Sequence, residues 1–165
     1  MNFINLKPLP FAVFFSFFFI STFLLPSCNT PKTVTASAPE EEHKYEIYFE
    51  KSETLMPVLD KVKKGEKLIF ITFYTDWCLP CKLMEEDVFT DAEIGRFFNK
   101  NFLNMHVNGE TTAGANLVSI FQVKVYPTIL FLDQAGNVIV RKDGAAFHSE
   151  LRGMADEALR GGSPN

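Results

Sequence analysis

Cysteine is scarce in this chain: Cys28, Cys78 and Cys81 are all that occur among 165 residues. Histidine is as rare, with His43, His106 and His148 scattered along the sequence. A structural zinc site needs four ligands, and no second Cys-x-x-Cys is present to complete one, so no metal and no cofactor is expected. Basic residues are also in short supply, 16 Lys and Arg against 20 Asp and Glu, for a formal charge of −4. No basic patch or basic helix stands out, which argues against a nucleic-acid partner. Internal repeats are absent.

What is present is unevenly spread. Hydrophobic residues make up 47% of the chain, yet residues 9–26 read LPFAVFFSFFFISTFLLP without a single charge. Only Lys7 and the amino terminus supply positive charge ahead of that run, the pattern of a secretory signal. The alternative is an uncleaved transmembrane helix, because about 18 apolar residues nearly span a bilayer. Phenylalanine on every face argues against a buried core helix. The run ends in Leu25-Pro26-Ser27-Cys28, which resembles a bacterial lipobox, with Pro26 an unusual occupant of its slot. That resemblance implies a lipoprotein-type signal over residues 1–27 and lipidation at Cys28, with the rest held by lipid on the periplasmic side of a bacterial membrane. Removing residues 1–27 takes away Lys7 and no acid, so the remainder is one unit more acidic than the whole.

With Cys28 set aside, Cys78 and Cys81 remain, two residues apart in TFYTDWCLPCKLMEEDVF. Exported proteins keep disulfides where cytosolic ones rarely do. A loop this short restrains little chain entropy, so the pair is a poor structural staple. Three readings are open at this point: a redox couple, half of a metal site, or two unrelated core cysteines.

Residues 29–44, NTPKTVTASAPEEEHK, have almost nothing to bury and read as a flexible tether or a plain spacer. As a coil they span roughly 20–25 Å. A globular pattern begins at Tyr45 and runs to residue 162. YEIYF predicts a short strand, and Ser52 caps a helix through ETLMPVLDKVKK that Gly65 stops. KLIFITFY is a continuous apolar run and predicts a buried central strand. Residues 78–88 read as a helix with Leu83, Met84 and Val88 inward, and Thr90 with Glu93 forms a capping box for a segment to about Asn99. The phenylalanines of RFFNKNF read as core. FLNMHVN predicts a strand, residues 113–121 a helix, and TILFLD and NVIVRK a hairpin through QAGN. FHSELRGMADEALR closes the chain as a helix. The order β-α-β-α-β-α-β-β-α predicts a single α/β domain, a central mixed sheet with helices on both faces.

At the start of the helix after the central strand, unpaired backbone N–H groups and the dipole favour a Cys78 thiolate. Cys81, three residues on, lies on the same face within disulfide reach. Leu79 gives the loop an apolar surface, and Pro80 fits a first turn, where its missing N–H costs nothing. One sulfur exposed and its partner shielded but adjacent is what two-step thiol–disulfide exchange requires. Trp77-Cys78-Leu79-Pro80-Cys81-Lys82 resembles the thioredoxin-family active site, and Val125-Tyr126-Pro127-Thr128 matches the family's proline segment. DGA, with Gly144, matches the family's glycine turn before the last helix. DWCLPCKLMEEDVFTDAEI is most similar to exported thioredoxins and to the carboxy-terminal domain of DsbD-type proteins.

The resemblance, from about Tyr45 to Arg160, implies a thioredoxin fold and a redox-active Cys78–Cys81 disulfide. It also implies a cis bond before Pro127, beside which an incoming peptide pairs, and an acidic role for Glu85 near the site. Its partners would be protein disulfides, with a membrane electron-donor protein to recharge the dithiol. Thr72 stands where many members carry a buried Asp, so either Glu85 or water takes the proton or exchange at Cys81 is slower. Against these roles, Glu85 also reads as a solvated helix carboxylate, Trp77 as packing beside the site, Pro127 as a turn proline and His106 as a satisfied sheet histidine. Two functional alternatives stand beside a general reductase: a maturation reductase with a narrow client such as apocytochrome c, and a binding module without turnover.

Overall fold

The computed structural model describes residues 44–161. The expected signal, Cys28, His43 and nearly all of the expected tether lie outside the described residues.

The sheet forms around one strand with no polar face. β1 (Leu68–Tyr74) buries Ile69, Phe70, Ile71, Thr72 and Phe73, so both of its faces need cover. β2 (Phe102–Asn108) pairs parallel to it on one side and β3 (Thr128–Leu132) antiparallel on the other. β4 (Val138–Asp143) pairs antiparallel with β3, giving the order β2-β1-β3-β4. The β3–β4 turn is held by the Asp133 carboxylate, which accepts from the backbone N–H groups of Ala135 and Asn137 at 2.8 Å each.

Two apolar clusters lie against the sheet. One packs α1 (Leu55–Val62) and α4 (Thr112–Ile120) through Val58, Val62 and Leu117 onto Ile69, Ile71, Phe73 and Leu130. The other joins Phe70, Phe102 and Phe131 of the sheet to Met84 and Val88, to Phe98 of α3 (Ala92–Asn101) and to Leu151 of α5 (His148–Leu159). Phe70, Phe98, Phe102 and Phe131 interlock with centroids 4.8–6.2 Å apart, which accounts for two phenylalanines of RFFNKNF. Phe97 is only half-buried, under the Arg152 guanidinium.

Four expectations change. YEIYF makes a single bridge, Phe49 to Asn104, rather than a strand. Its backbone donors go elsewhere, Glu46 and Ile47 both to the Phe89 carbonyl and Tyr48 to Asn99 Oδ1. Ser52 does not cap α1: its hydroxyl turns onto the backbone of Thr54, and Thr54 is the N-cap without a side-chain bond. Asp91, not Thr90, caps α3, accepting from Glu93 and Ile94 N–H at 2.9 and 2.8 Å, while the Thr90 hydroxyl donates back to Glu86 O. The helix expected over residues 78–88 is α2 (Leu79–Leu83) running into a π-helical turn, Met84–Val88, with Cys78 as N-cap. In that helix Met84 and Val88 are buried, but Leu83 projects outward.

Candidate active site

β1 ends at Tyr74, and the chain turns through residues 75–77 into α2. The Cys78 N–H donates to Thr75 O at 3.1 Å, and the Cys78 carbonyl accepts from Lys82 N–H at 3.2 Å, which fixes the cysteine at the helix start. Cys78 and Cys81 form a disulfide with Cα atoms 5.3 Å apart. The Cys81 N–H points back at Cys78 Sγ, 3.2 Å away. Pro80 falls in the first turn of α2, where no intrahelical N–H partner is lost. Both cysteines are 3% exposed, so the expected exposed first sulfur is not found in this disulfide form. The neighbours are the exposed residues: Trp77 at 70% and Leu79 at 65%.

Trp77 is exposed yet fixed. Its indole Nε1–H donates to Glu110 Oε1 at 3.1 Å, and the adjacent Asp76 N–H donates to Glu110 Oε2 at 3.2 Å. Glu110 is itself aimed by its backbone N–H, which donates to Asn108 Oδ1 at 2.9 Å. The Trp77 ring meets Tyr126 edge-on, with centroids 6.0 Å apart. Tyr126 lies over Gly109 so closely that a Cβ there would sit 2.2 Å from the phenol oxygen. Three loops therefore meet at Trp77, the residue before Cys78: those following β1, following β2 and preceding β3.

The third loop carries Pro127. The Tyr126–Pro127 bond is cis, and the Pro127 carbonyl accepts from Gly144 N–H at 2.8 Å. Thr128 pairs with Phe73 near the end of β1, which puts Pro127 beside the turn leading to Cys78.

Glu85 sits one helical turn past Cys81, in the π-helical segment. It is not a solvated carboxylate: its side chain is 13% exposed. Oε2 accepts from the Tyr45 hydroxyl at 2.6 Å and from Lys44 Nζ at 3.2 Å. These groups line a cleft of about 410 Å³ together with Tyr74, Thr75, Lys82 and His106. The Thr75 hydroxyl, buried in that wall, has no hydrogen-bond partner among the described residues. Burial lowers the His106 pKa to about 4, with Glu85 pulling it up and Lys44 pushing it down. The imidazole is thus neutral at pH 7, and its 3.6 Å contact with Glu85 Oε1 is too long for a hydrogen bond. Rings of Tyr74 and Phe49 flank it at 3.9 and 5.0 Å. Burial, reinforced by the Glu85 hydrogen bond, raises the Tyr45 pKa to about 12. Thr72 is buried next to His106 in the β1–β2 ladder and offers no titratable proton acceptor.

The structure brings Cys78, Cys81, Trp77, Pro80, Tyr126 and Pro127 to one end of the sheet and places Glu85 in the adjoining cleft. Glu110, Tyr45 and His106 are additions from the structure. For Glu110 a sequence signal exists: it follows FLNMHVN, and parallel pairing sets the loops after β1 and β2 side by side. Among the described residues no group of three or more His, Cys, Asp or Glu is placed to hold a metal, and no helix is long and apolar enough to cross a membrane.

A family model described as a thioredoxin-like domain matches residues 57–159, from within α1 to the end of α5. The chain belongs to the thioredoxin-like family. Its thioredoxin-like relatives include the thiol:disulfide interchange protein DsbD of Colwellia psychrerythraea, 30% identical over 104 residues, which are 60% of this chain and 17% of that protein. DsbD of Haemophilus influenzae is 31% identical over 112 residues, 66% of this chain and 19% of its own length. The chain thus spans less than a fifth of these curated relatives. Among solved structures, a Bacteroides thetaiotaomicron protein provisionally assigned as a disulphide-isomerase superposes with a TM-score of 0.61 at 30% identity, covering 70% of this chain and 94% of that one. A Thermus thermophilus thioredoxin gives 0.58 at 23% identity over 66% and 87% of the two chains, a likeness of fold.

Proposed function

We propose that this chain is an exported, lipid-anchored thiol–disulfide oxidoreductase that reduces protein disulfides through Cys78 and Cys81. One observation carries the reading: a disulfide at the first turn of α2, with the Cys81 N–H directed at Cys78 Sγ at 3.2 Å. In the dithiol form that N–H donates to the sulfur that must be anionic, and a hydrogen bond to the charged form favours it. The relatives' printed name, thiol:disulfide interchange protein, describes the same class of chemistry.

The Cys78 thiolate attacks one sulfur of a client disulfide; the second client sulfur leaves as a thiolate and takes up a proton. Cys81, on losing its proton, attacks Cys78 Sγ and expels the first client sulfur, which is protonated in turn. The client gains two electrons and two protons, and the enzyme ends as the Cys78–Cys81 disulfide. Glu85, held by Tyr45 and Lys44, is the proton acceptor in the absence of one at Thr72. Pro127 and Tyr126 form the wall against which the client backbone lies, and Trp77, packed edge-on against Tyr126, extends it. A membrane electron-donor protein returns two electrons to the pair. Anchoring through Cys28 on the periplasmic side rests on the lipobox-like end of the apolar run.

The test is insulin reduction by the full chain with a dithiol as electron source. Wild type turns over, Cys78→Ser does not, and Cys81→Ala accumulates mixed disulfides. Many adducts fit a general reductant, whereas one dominant adduct fits a narrow-client maturation enzyme. A wild type without turnover, whose client binding survives Cys78→Ser, is a binding module instead.

A further inference from the structure

The loop that carries Pro127 leaves α4 by an unusual route. Gln122 has φ +51°, the one positive value at a non-glycine among the described residues. The last carbonyls of a helix lack intrahelical partners, and a reversal at this point leaves them facing outward. Here the carbonyls of the C-cap Phe121 and of Gln122, just past α4, face Arg141 on the edge strand β4. Arg141 Nη1 donates to Phe121 O at 2.8 Å and Nη2 to Gln122 O at 3.4 Å. A cation at a helix carboxyl end is also favoured by the dipole. The same guanidinium is aimed by Asp143, whose Oδ1 lies 3.0 Å from Nε and 2.9 Å from Nη2.

The seam continues along β4. The Thr128 hydroxyl lies 2.8 Å from Val125 O and 3.3 Å from Asp143 Oδ1, placed to donate to either. The next residue, Gly144, donates its N–H to Pro127 O. Residues 141–144 therefore hold the loop at its entry, through Arg141, and at its exit, through Asp143 and Gly144, on one side. On the other side Tyr126 rests on Trp77 and Gly109. Between these two supports the loop presents exposed Val125 toward solvent.

We infer that Arg141 is a positioning residue for the Pro127 loop, and that through this loop it sets how tightly a client polypeptide is held while its disulfide reacts. The inference rests on the proposed reductase reading. The Arg141 side chain is 33% exposed, and the partners that define its place are Phe121, Gln122 and Asp143 rather than the disulfide. Its forked donor set is what the seam uses: one face takes two carbonyls while the other takes a carboxylate. Lysine, a single point charge, cannot meet three acceptors in that plane.

The experiment compares two substrates on the full chain. Insulin offers a backbone to lie along the loop; 5,5′-dithiobis(2-nitrobenzoate) is a small disulfide that does not. Losing a charged hydrogen bond that orders the loop corresponds to about tenfold in affinity. Arg141→Met is expected to raise KM for insulin about tenfold, with kcat within about twofold and the small disulfide reduced at the wild-type rate. Arg141→Lys is expected to lie between, and it carries the same comparison if Arg141→Met does not fold. An unchanged KM, or equal slowing with both substrates, overturns the inference, the second because it marks a general effect on the fold or the cysteines. A wild type inert toward both substrates overturns the reductase reading itself.

Discussion

Glu110 satisfies two neighbouring donors with one carboxylate, the Asp76 amide and the Trp77 indole. Charge-assisted bonds of this kind are stronger than neutral ones, and they explain how a side chain so exposed as Trp77 keeps one orientation. Trp77 is the chain's only tryptophan, so its fluorescence reports this contact alone. Glu110→Ala should lower the anisotropy, raise quenching by acrylamide and slow insulin reduction several-fold, while Glu110→Gln falls between. Unchanged anisotropy in the alanine variant contradicts the assigned role. The cysteines, Trp77 and Pro127 were legible from local motifs. Glu110 was not, because its role arises from a contact 33 residues distant in sequence and from no motif of its own.

At the scale of elements, the cleft beside α2 joins three pieces of chain: the entry segment at Lys44 and Tyr45, the π-helical turn at Glu85, and β2 at His106. Facing His106 are Glu85, Lys44, Tyr45 and Tyr74, and burial dominates them, holding the imidazole near pKa 4 against an ordinary 6.5. The unfolded chain therefore binds a proton that the folded chain refuses. Stability from this group is complete above about pH 6.5 and is lost as pH falls toward 4, a difference of roughly 3 kcal/mol. Urea unfolding at pH 7, 5 and 4 should show that loss in wild type and a shallower one in His106→Phe; equal slopes would refute it. The long apolar strands and their helices were readable because periodicity and burial go together. Helix starts were less so. Ser52, Thr90 and Asp91 are all competent caps, and tertiary position selects among them: Ser52 folds onto Thr54, while Thr90 is still bonded to the preceding turn. The first strand failed for a related reason, since its donors at Glu46, Ile47 and Tyr48 go to Phe89 O and Asn99 Oδ1 instead of to β2.

For the molecule as a whole, the thioredoxin-like family model matches residues 57–159, and the proposal adds an anchored, exported setting through residues 1–43. The proposed reducing direction takes its expected potential from the intervening Leu79-Pro80, which offers no histidine to favour the dithiol form strongly. The most direct test is the equilibrium of Cys78 and Cys81 with graded glutathione and dithiothreitol, following thiol content by alkylation. A reversible two-electron couple with a potential of about −270 mV, close to thioredoxin, is the expected result. A potential above about −180 mV would reverse the direction assigned here, and two sulfurs that never interconvert between bonded and free forms would contradict the reading outright.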